Sequence, residues 1–293
     1  MIAHVAAAGE QRGRVVLRLT HDTPHPIALQ AAMCVAQAFQ SEIESLFVED
    51  LALFELASFP FAREISFSGR RSSALSAESI AADMRHVAAA FQRTISALAQ
   101  RAEIPLRTTV IRDEPVTAVA RACAECGPWN VVALAEPISA ASPAMLHRLF
   151  ASVVETTGVV VVGPNAKRTS GPVIAAVEDI AHLEPMLRTA ERLMAVTGSE
   201  SLGTETLLLL LVGARDDDTM EMEGQARLVL GDKPLATITR VNVPQGAAID
   251  LAERMRRLHG GFILARFGGL LVPREGSLDH LVQTLECPLF LMR

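Results

Sequence analysis

The stretch Val159-Val160-Val161-Val162-Gly163-Pro164-Asn165-Ala166-Lys167-Arg168-Thr169-Ser170-Gly171-Pro172-Val173-Ile174-Ala175-Ala176-Val177 sets two apolar runs on either side of a polar segment. Short runs with no polar face read as strands buried on both sides. The segment from Pro164 to Gly171 carries Pro, Asn, Ser and Gly, and reads as a linker. The same order of elements stands before and after it.

Before it, Val15-Val16-Leu17 predicts a buried strand, and Ile27, Ala31, Cys34, Val35 and Ala38 recur at helical spacing. Ile43 to Val48 is a second strand. From Ile80 the residues Met84, Val87, Phe91, Ile95 and Leu98 make one apolar helix face. Strands follow at Leu106 to Ile111 and Asn130 to Leu134. Pro115 opens a helix between them, and Ser142-Pro143 opens another before the strand Val159 to Val162. After the linker, strands are expected at Val173 to Val177, Leu207 to Val212, Ala236 to Val241, Phe262 to Ala265 and Leu289 to Met292. Helical faces separate them at Leu183 to Met194, Gly224 to Leu230 and Ala248 to Leu258, and a last helix is capped by Ser277. Strands alternating with helices, apolar on both faces, imply doubly wound parallel sheets. The reading is an α/β chain of two such Rossmann-like domains in tandem, 1–165 and 171–293.

The chain has 293 residues, half of them hydrophobic and a fifth charged, which is a globular composition with material for a large core. A net charge of −6 without any Lys/Arg run argues against nucleic acid as a partner. The longest strongly hydrophobic run, Leu207 to Val212, falls far short of the roughly 20 residues a membrane helix needs. No membrane partner is expected. Cys34, Cys123, Cys126 and Cys287 are too few for a disulfide framework and suit the reducing cytoplasm.

Several strings in this order resemble the universal stress protein family, an adenine nucleotide alpha hydrolase-like group. They are Arg14-Val-Val-Leu-Arg-Leu19, Ile43-Glu-Ser-Leu-Phe-Val-Glu-Asp50, Asn130-Val-Val-Ala-Leu134, Ser152 to Val162, and Leu281 to Met292 with its Cys287-Pro288. The resemblance implies a five-stranded parallel sheet in each half and ATP at the carboxyl edge, the edge where open α/β sheets hold ligands. It also implies a phosphate loop after the fourth strand: Gly, two residues, Gly, nine residues, then Gly-Ser or Gly-Thr at a helix N-terminus.

Both halves depart from that loop. In the first, Ala135 and Ile138 stand for the glycines, Ala151-Ser152 follows twelve positions on, and Glu136 brings negative charge. In the second, Arg266 replaces the first glycine, Gly269 keeps the second, and Gly276-Ser277 follows after only six residues. The family's acidic residue after the first strand corresponds to Thr20-His21-Asp22 or to Glu178-Asp179. The first half is therefore expected to have lost ATP. The candidate binding residues are Glu178, Asp179, Arg266, Gly269, Gly276 and Ser277, with ATP or AMP as the second-half ligand if one binds.

Other constellations have plainer readings. His21, Asp22 and His25, or Asp179 and His182, have types that ligate metals, but Asp22 or Thr23 as a helix cap explains the first set. Cys123-Ala-Glu-Cys126 ends a helix, where nothing lowers a thiol pKa. Ser277, Asp279 and His280 lack nucleophile-elbow spacing. Asp216 to Asp218 reads as a solvated acidic loop preceding a helix N-terminus. Leu51 to Ser68 places Phe54, Phe59, Phe61 and Phe67 in a loop, which favours an interface or lid. Two functions stay open: a non-catalytic stress-response or regulatory protein, and a nucleotide or phosphorylated-metabolite binder using the second half. Self-association is expected, as an internal pseudo-dimer or a homodimer, because apolar edge strands need covering.

Overall fold

The computed structural model describes residues 13–66, 68, 70, 72–125, 129–139, 142–154, 156–197, 207–231, 236–243, 248–275 and 278–293. Two motifs from the sequence, Cys126 and Gly276-Ser277, lie outside them.

The first half runs β1 (Arg14–Leu19), α1 (Pro26–Ala38), β2 (Glu42–Asp50), α2 (Leu51–Ala57), β3 (Arg63–Ile65), β4 (Ser72–Ala74), α3 (Ala77–Arg101), β5 (Leu106–Asp113), α4 (Pro115–Ala124), β6 (Asn130–Leu134), α5 (Ser142–Ser152) and β7 (Thr156–Val161). The second runs β8 (Val173–Val177), a 3-10 turn, α6 (Leu183–Thr197), β9 (Leu207–Gly213), α7 (Asp216–Leu230), β10 (Ala236–Asn242), α8 (Ala248–Arg257), β11 (Phe262–Arg266), α9 (Asp279–Thr284) and β12 (Leu289–Met292). Local chemistry sets many of these ends. Ser76 caps α3 by accepting the Ser79 N–H at 3.0 Å. Pro115 opens α4 behind the Glu114 cap, and α7 stops at Gly231, whose φ is +57°.

The sequence expects one doubly wound parallel sheet in each half, and the two are joined edge to edge. Ten strands form a single sheet in the order β10-β9-β8-β11-β12-β7-β6-β1-β2-β5. Within each half every pair is parallel, and the halves meet where β12 runs antiparallel to β7. Leu289 faces Val161, Phe290 faces Val160 and Leu291 faces Val159 across this junction. Gly158 is fixed by the close approach: a Cβ there would stand 2.5 Å from the Leu291 carbonyl oxygen. The two apolar ends thus cover each other.

Alternation along the strands divides the core. Val15, Leu17, Phe47, Val160 and Phe290 face α1, α3 and α6, whereas Val16, Leu46, Val132 and Leu291 face α4, α5, α8 and α9. The segment at 164–171 is pinned rather than loose. Lys167 and Arg168 donate backbone N–H groups to the Glu286 carbonyl, and Arg168 also pairs with its carboxylate at 2.9 Å.

Three further expectations change. Within the Phe-rich stretch, Leu51–Ala57 is a helix and Arg63–Ile65 a strand of the β3–β4 hairpin, while Phe67 lies outside the described residues. Asp216 to Asp218 form the first turn of α7, where the helix dipole favours carboxylates. Helix α1 is capped by His25, not Asp22 or Thr23: its Nδ1 accepts the Ile27 N–H at 3.2 Å. Burial lowers the His25 pKa, against a hydrogen bond with the Pro164 backbone, which favours the neutral ring that can accept. Among the described residues no helix is long and apolar enough to cross a membrane.

Candidate functional site

Strand β8 delivers Glu178 to the carboxyl edge of the sheet, and its neighbour β11 delivers the turn from Phe267 to Val272. The turn is tight: the Gly268 N–H donates to the Val272 carbonyl at 2.8 Å, with Gly268 at φ +86°. Its next amides point back at β8. The Leu270 N–H donates to Glu178 Oε2 at 2.6 Å and the Leu271 N–H to Oε1 at 3.2 Å. A Cβ on Gly269 would collide with that carboxylate, so this glycine makes room for Glu178. Two successive amides aimed at one anion make a seat of the kind that holds phosphate. Here a side chain of the same half fills it.

The remaining predicted residues do not converge so closely. Arg266 closes β11, and its carbonyl accepts the Gly269 N–H at 3.4 Å. No ion pair of its guanidinium is found among the described residues. Asp179 caps the 3-10 turn by accepting the Ala181 N–H at 3.0 Å, with His182 3.7 Å from its carboxylate. No group of three His, Cys, Asp or Glu side chains able to hold a metal occurs among the described residues. Gly276 and Ser277 lie outside them.

Beside Glu178 opens a cleft of about 420 Å3 at the ends of β8 and β9. Ile180, Val212 and Met222 supply apolar walls; Glu178, Asp179, Asp218 and Glu221 supply carboxylates. A hydrogen bond from Arg215 holds the Asp218 carboxyl below its ordinary pKa. Four acidic side chains around one opening repel a polyphosphate.

The first half closes the corresponding edge differently. Arg18, near the end of β1, donates through Nη2 to Glu136 Oε1 at 2.8 Å, both side chains being largely buried. The Ala135 N–H donates to the Arg18 carbonyl, the His25 N–H to the Ala135 carbonyl, and the Ile138 N–H to the Val162 carbonyl. Ala135 and Ile138 are themselves core residues. Glu136 stands where the sequence placed it, but as half of an ion pair. Ala151-Ser152 ends α5 instead of beginning it, so it offers no helix N-terminus to an anion.

Two contributors carry no sequence signal. Phe267, in the β11 turn, stacks on Phe150 of α5 with centroids 4.2 Å apart and planes 8° apart. Arg293 donates through Nη2 to the carbonyls of Phe150 and Val153 at 2.5 and 2.8 Å, closing the C-terminal end of α5. The second half's turn is therefore braced by the first half.

Known structures share the fold along nearly the whole length of this chain. A universal stress protein from Archaeoglobus fulgidus matches at TM-score 0.62 and 13% identity, over 95% of this chain and 96% of that one. The fold is that of the universal stress proteins. A putative universal stress protein from Pseudomonas aeruginosa matches at TM-score 0.54 and 15% identity, over 96% and 94%. The cytoplasmic domain of a prokaryotic cation chloride cotransporter matches at 0.54 and 11%, over 96% and 95%. No protein-family model and no curated protein matches the sequence. The universal stress protein fold accordingly fixes the scaffold, and function has to be argued from the residues at its edge.

Proposed function

We propose that this chain is a non-catalytic regulatory protein of the stress-response type, whose phosphate seats are filled by its own side chains. The observation that carries the reading is the Glu178 carboxylate on the Leu270 and Leu271 amides. A phosphate entering there must expel a carboxylate that already makes charge-assisted hydrogen bonds, and must do so beside three more acids. In the first half, the Arg18–Glu136 pair and the buried Ala135 and Ile138 support the same loss. A triphosphate does not fit these residues. The reading includes a cytoplasmic location, supported by the free thiols of Cys34 and Cys287.

The cleft beside Glu178 favours a second reading, a small-molecule binder using the second half, with ATP or AMP among the ligands to try. Its volume of about 420 Å3 falls in the range of ligand pockets, roughly 300–1,000 Å3. Titration calorimetry and melting with ATP–magnesium, AMP and adenosine at millimolar concentration separate the two. The first reading expects no heat and no melting shift from any phosphate-bearing ligand. A ligand at 100 times its Kd stabilises the fold by about 2.7 kcal/mol, so a shift of that size with ATP or AMP overturns it.

A further inference from the structure

The segment from Gly163 to Gly171 joins the two halves and is held from both sides. The second half holds it by polar contacts: Asn165 Nδ2 donates to the Gln283 carbonyl at 2.8 Å, and Lys167 and Arg168 pair with Glu286. The first half holds it through α1, at three places. His25, the cap of the helix, meets the Pro164 backbone. Ile27 and Ala28, in the first turn, form a small buried cluster with Val162 and Ala166. Further along, Cys34 is hydrogen-bonded to the Thr169 side chain. Helix α1 packs in turn on α6 of the second half, so it lies across the joint.

Of these groups only the His25 imidazole has an ordinary pKa near neutrality. Its two nitrogens have opposite duties. Nδ1 accepts the Ile27 N–H at 3.2 Å, so it carries no proton. Proline has no N–H, so the Pro164 backbone offers only a carbonyl, and the other ring nitrogen donates to it. A proton added to Nδ1 turns the acceptor into a donor that faces the Ile27 N–H. It also places a positive charge at the positive end of the helix dipole. The charged surroundings do not offset this. Helix α1 has no charged side chain, and its one titratable group, Cys34, has a thiol pKa pushed up by burial. In the preceding loop, His21 and Asp22 are exposed and lie 3.6 Å from each other. The His25 N–H donates to the Ala135 carbonyl, and Glu136 beside it is held by Arg18. On the joining segment, Lys167 and Arg168 are held by Glu286. Against burial, hydrogen bonds from those two keep the Glu286 carboxyl below its ordinary pKa. No ion pair of His25 itself is found among the described residues.

We propose that His25 is a pH-sensitive latch on the joint between the halves. Protonation of Nδ1 breaks the bridge from α1 to Pro164 on its helix side, frays the first turn of α1 and loosens its grip on the start of the joining segment. The protonated ring keeps a donor for Pro164 but can no longer serve the Ile27 N–H, so it cannot hold both partners at once. Because burial lowers the His25 pKa, the folded chain binds this proton more weakly than the unfolded one. The stability contributed here is therefore whole above about pH 6.5 and is lost as pH falls toward the lower value of the folded ring. The device is independent of what the sheet edge binds, and it gives a regulatory chain an acid-responsive joint.

NMR of the full chain from about pH 8 to about pH 5 tests this, across the range where an imidazole titrates. The His25 ring and the Ile27 amide are expected to shift with one shared midpoint. Hydrogen-exchange protection at the Ile27 and Ala166 amides should fall about fivefold over that range, the factor a lost N-cap makes in local opening. The Lys167 amide, which donates to the Glu286 carbonyl of the second half, should keep its protection. His25→Asn supplies a cap that does not titrate and is expected to hold Ile27 at the protected level throughout. His25→Ala leaves Ile27 at the lower level at every pH. An Ile27 amide that stays protected while the wild-type ring titrates overturns the inference, and so does a pH-dependent loss that survives in His25→Asn. Equal loosening at Ala166 and Lys167 overturns it as well, because acid would then be acting on the whole joint and not through this latch.

Discussion

Removing the Glu178 side chain leaves the Leu270 and Leu271 amides with only water to satisfy them, while the tight Gly268–Val272 turn keeps them aimed at the vacated space. Hydrogen bonds to a charged acceptor contribute about 1.5–3 kcal/mol each when buried, and the Leu270 bond is exposed, so the pair belongs at the low end. Glu178→Ala is expected to destabilise the chain by about 1–3 kcal/mol, read from the urea midpoint at unchanged slope. Phosphate or sulfate, inert toward the wild type, should recover part of that loss by sitting on the exposed amides. A variant as stable as the wild type, or one indifferent to both anions, would count against the seat. The sequence marks Glu178 and Gly269 as residues of interest through their places after two strands. It cannot show that they touch, because the carboxylate and the Leu270 amide are 92 positions apart and meet only when β8 and β11 become neighbours. Arg18 hides for a related reason. On a strand read as buried it looks like a flanking charge, until β6 places Glu136 beside it.

Elements are more legible than contacts because their signals are local. Buried parallel strands print themselves as short apolar runs, and amphipathic helices as a three-to-four repeat, so every strand of the large sheet has a counterpart in the pattern. The exceptions have local causes too. Asp216 to Asp218 are polar enough to read as a loop, and only their place at a helix N-terminus explains three adjacent carboxylates. Helix α2 has no buried face, so no periodicity separates it from a loop. What periodicity omits is how elements brace one another, and α5 shows the consequence. Phe150, 8% exposed, packs on Phe267 of the other half, and Arg293 caps the same helix. Phe150→Ala removes a large buried ring and is expected to cost about 3–5 kcal/mol. Hydrogen exchange gives the diagnostic readout: the Leu270 and Leu271 amides should exchange faster, beyond any change in α4 or β2. Uniform acceleration through both halves would mean the stack contributes stability without positioning the turn.

At the scale of the whole molecule, the β7–β12 junction makes the halves depend on each other on both faces of the sheet. On one side Phe290 meets Phe39 edge-on at 6.4 Å, and Arg192 of α6 lies over the Phe39 ring. On the other, the Phe150–Phe267 stack and Arg293 tie α5 to the second half. Separating the chain at the segment between β7 and β8 would expose Val159 to Val161 and Leu289 to Met292 as unpaired apolar edges, and would uncover these rings as well. We expect fragments 1–165 and 171–293, each expressed alone, to aggregate or self-associate, and to form a one-to-one complex when coexpressed. The first fragment has two edges that could carry self-association, β5 and β7, and Val110→Lys tells them apart. Association that persists in Val110→Lys reports the β7 edge, because that substitution acts only at β5. If both fragments sediment as monomers and melt cooperatively, the antiparallel junction is dispensable, and the ten strands are two self-sufficient sheets laid side by side.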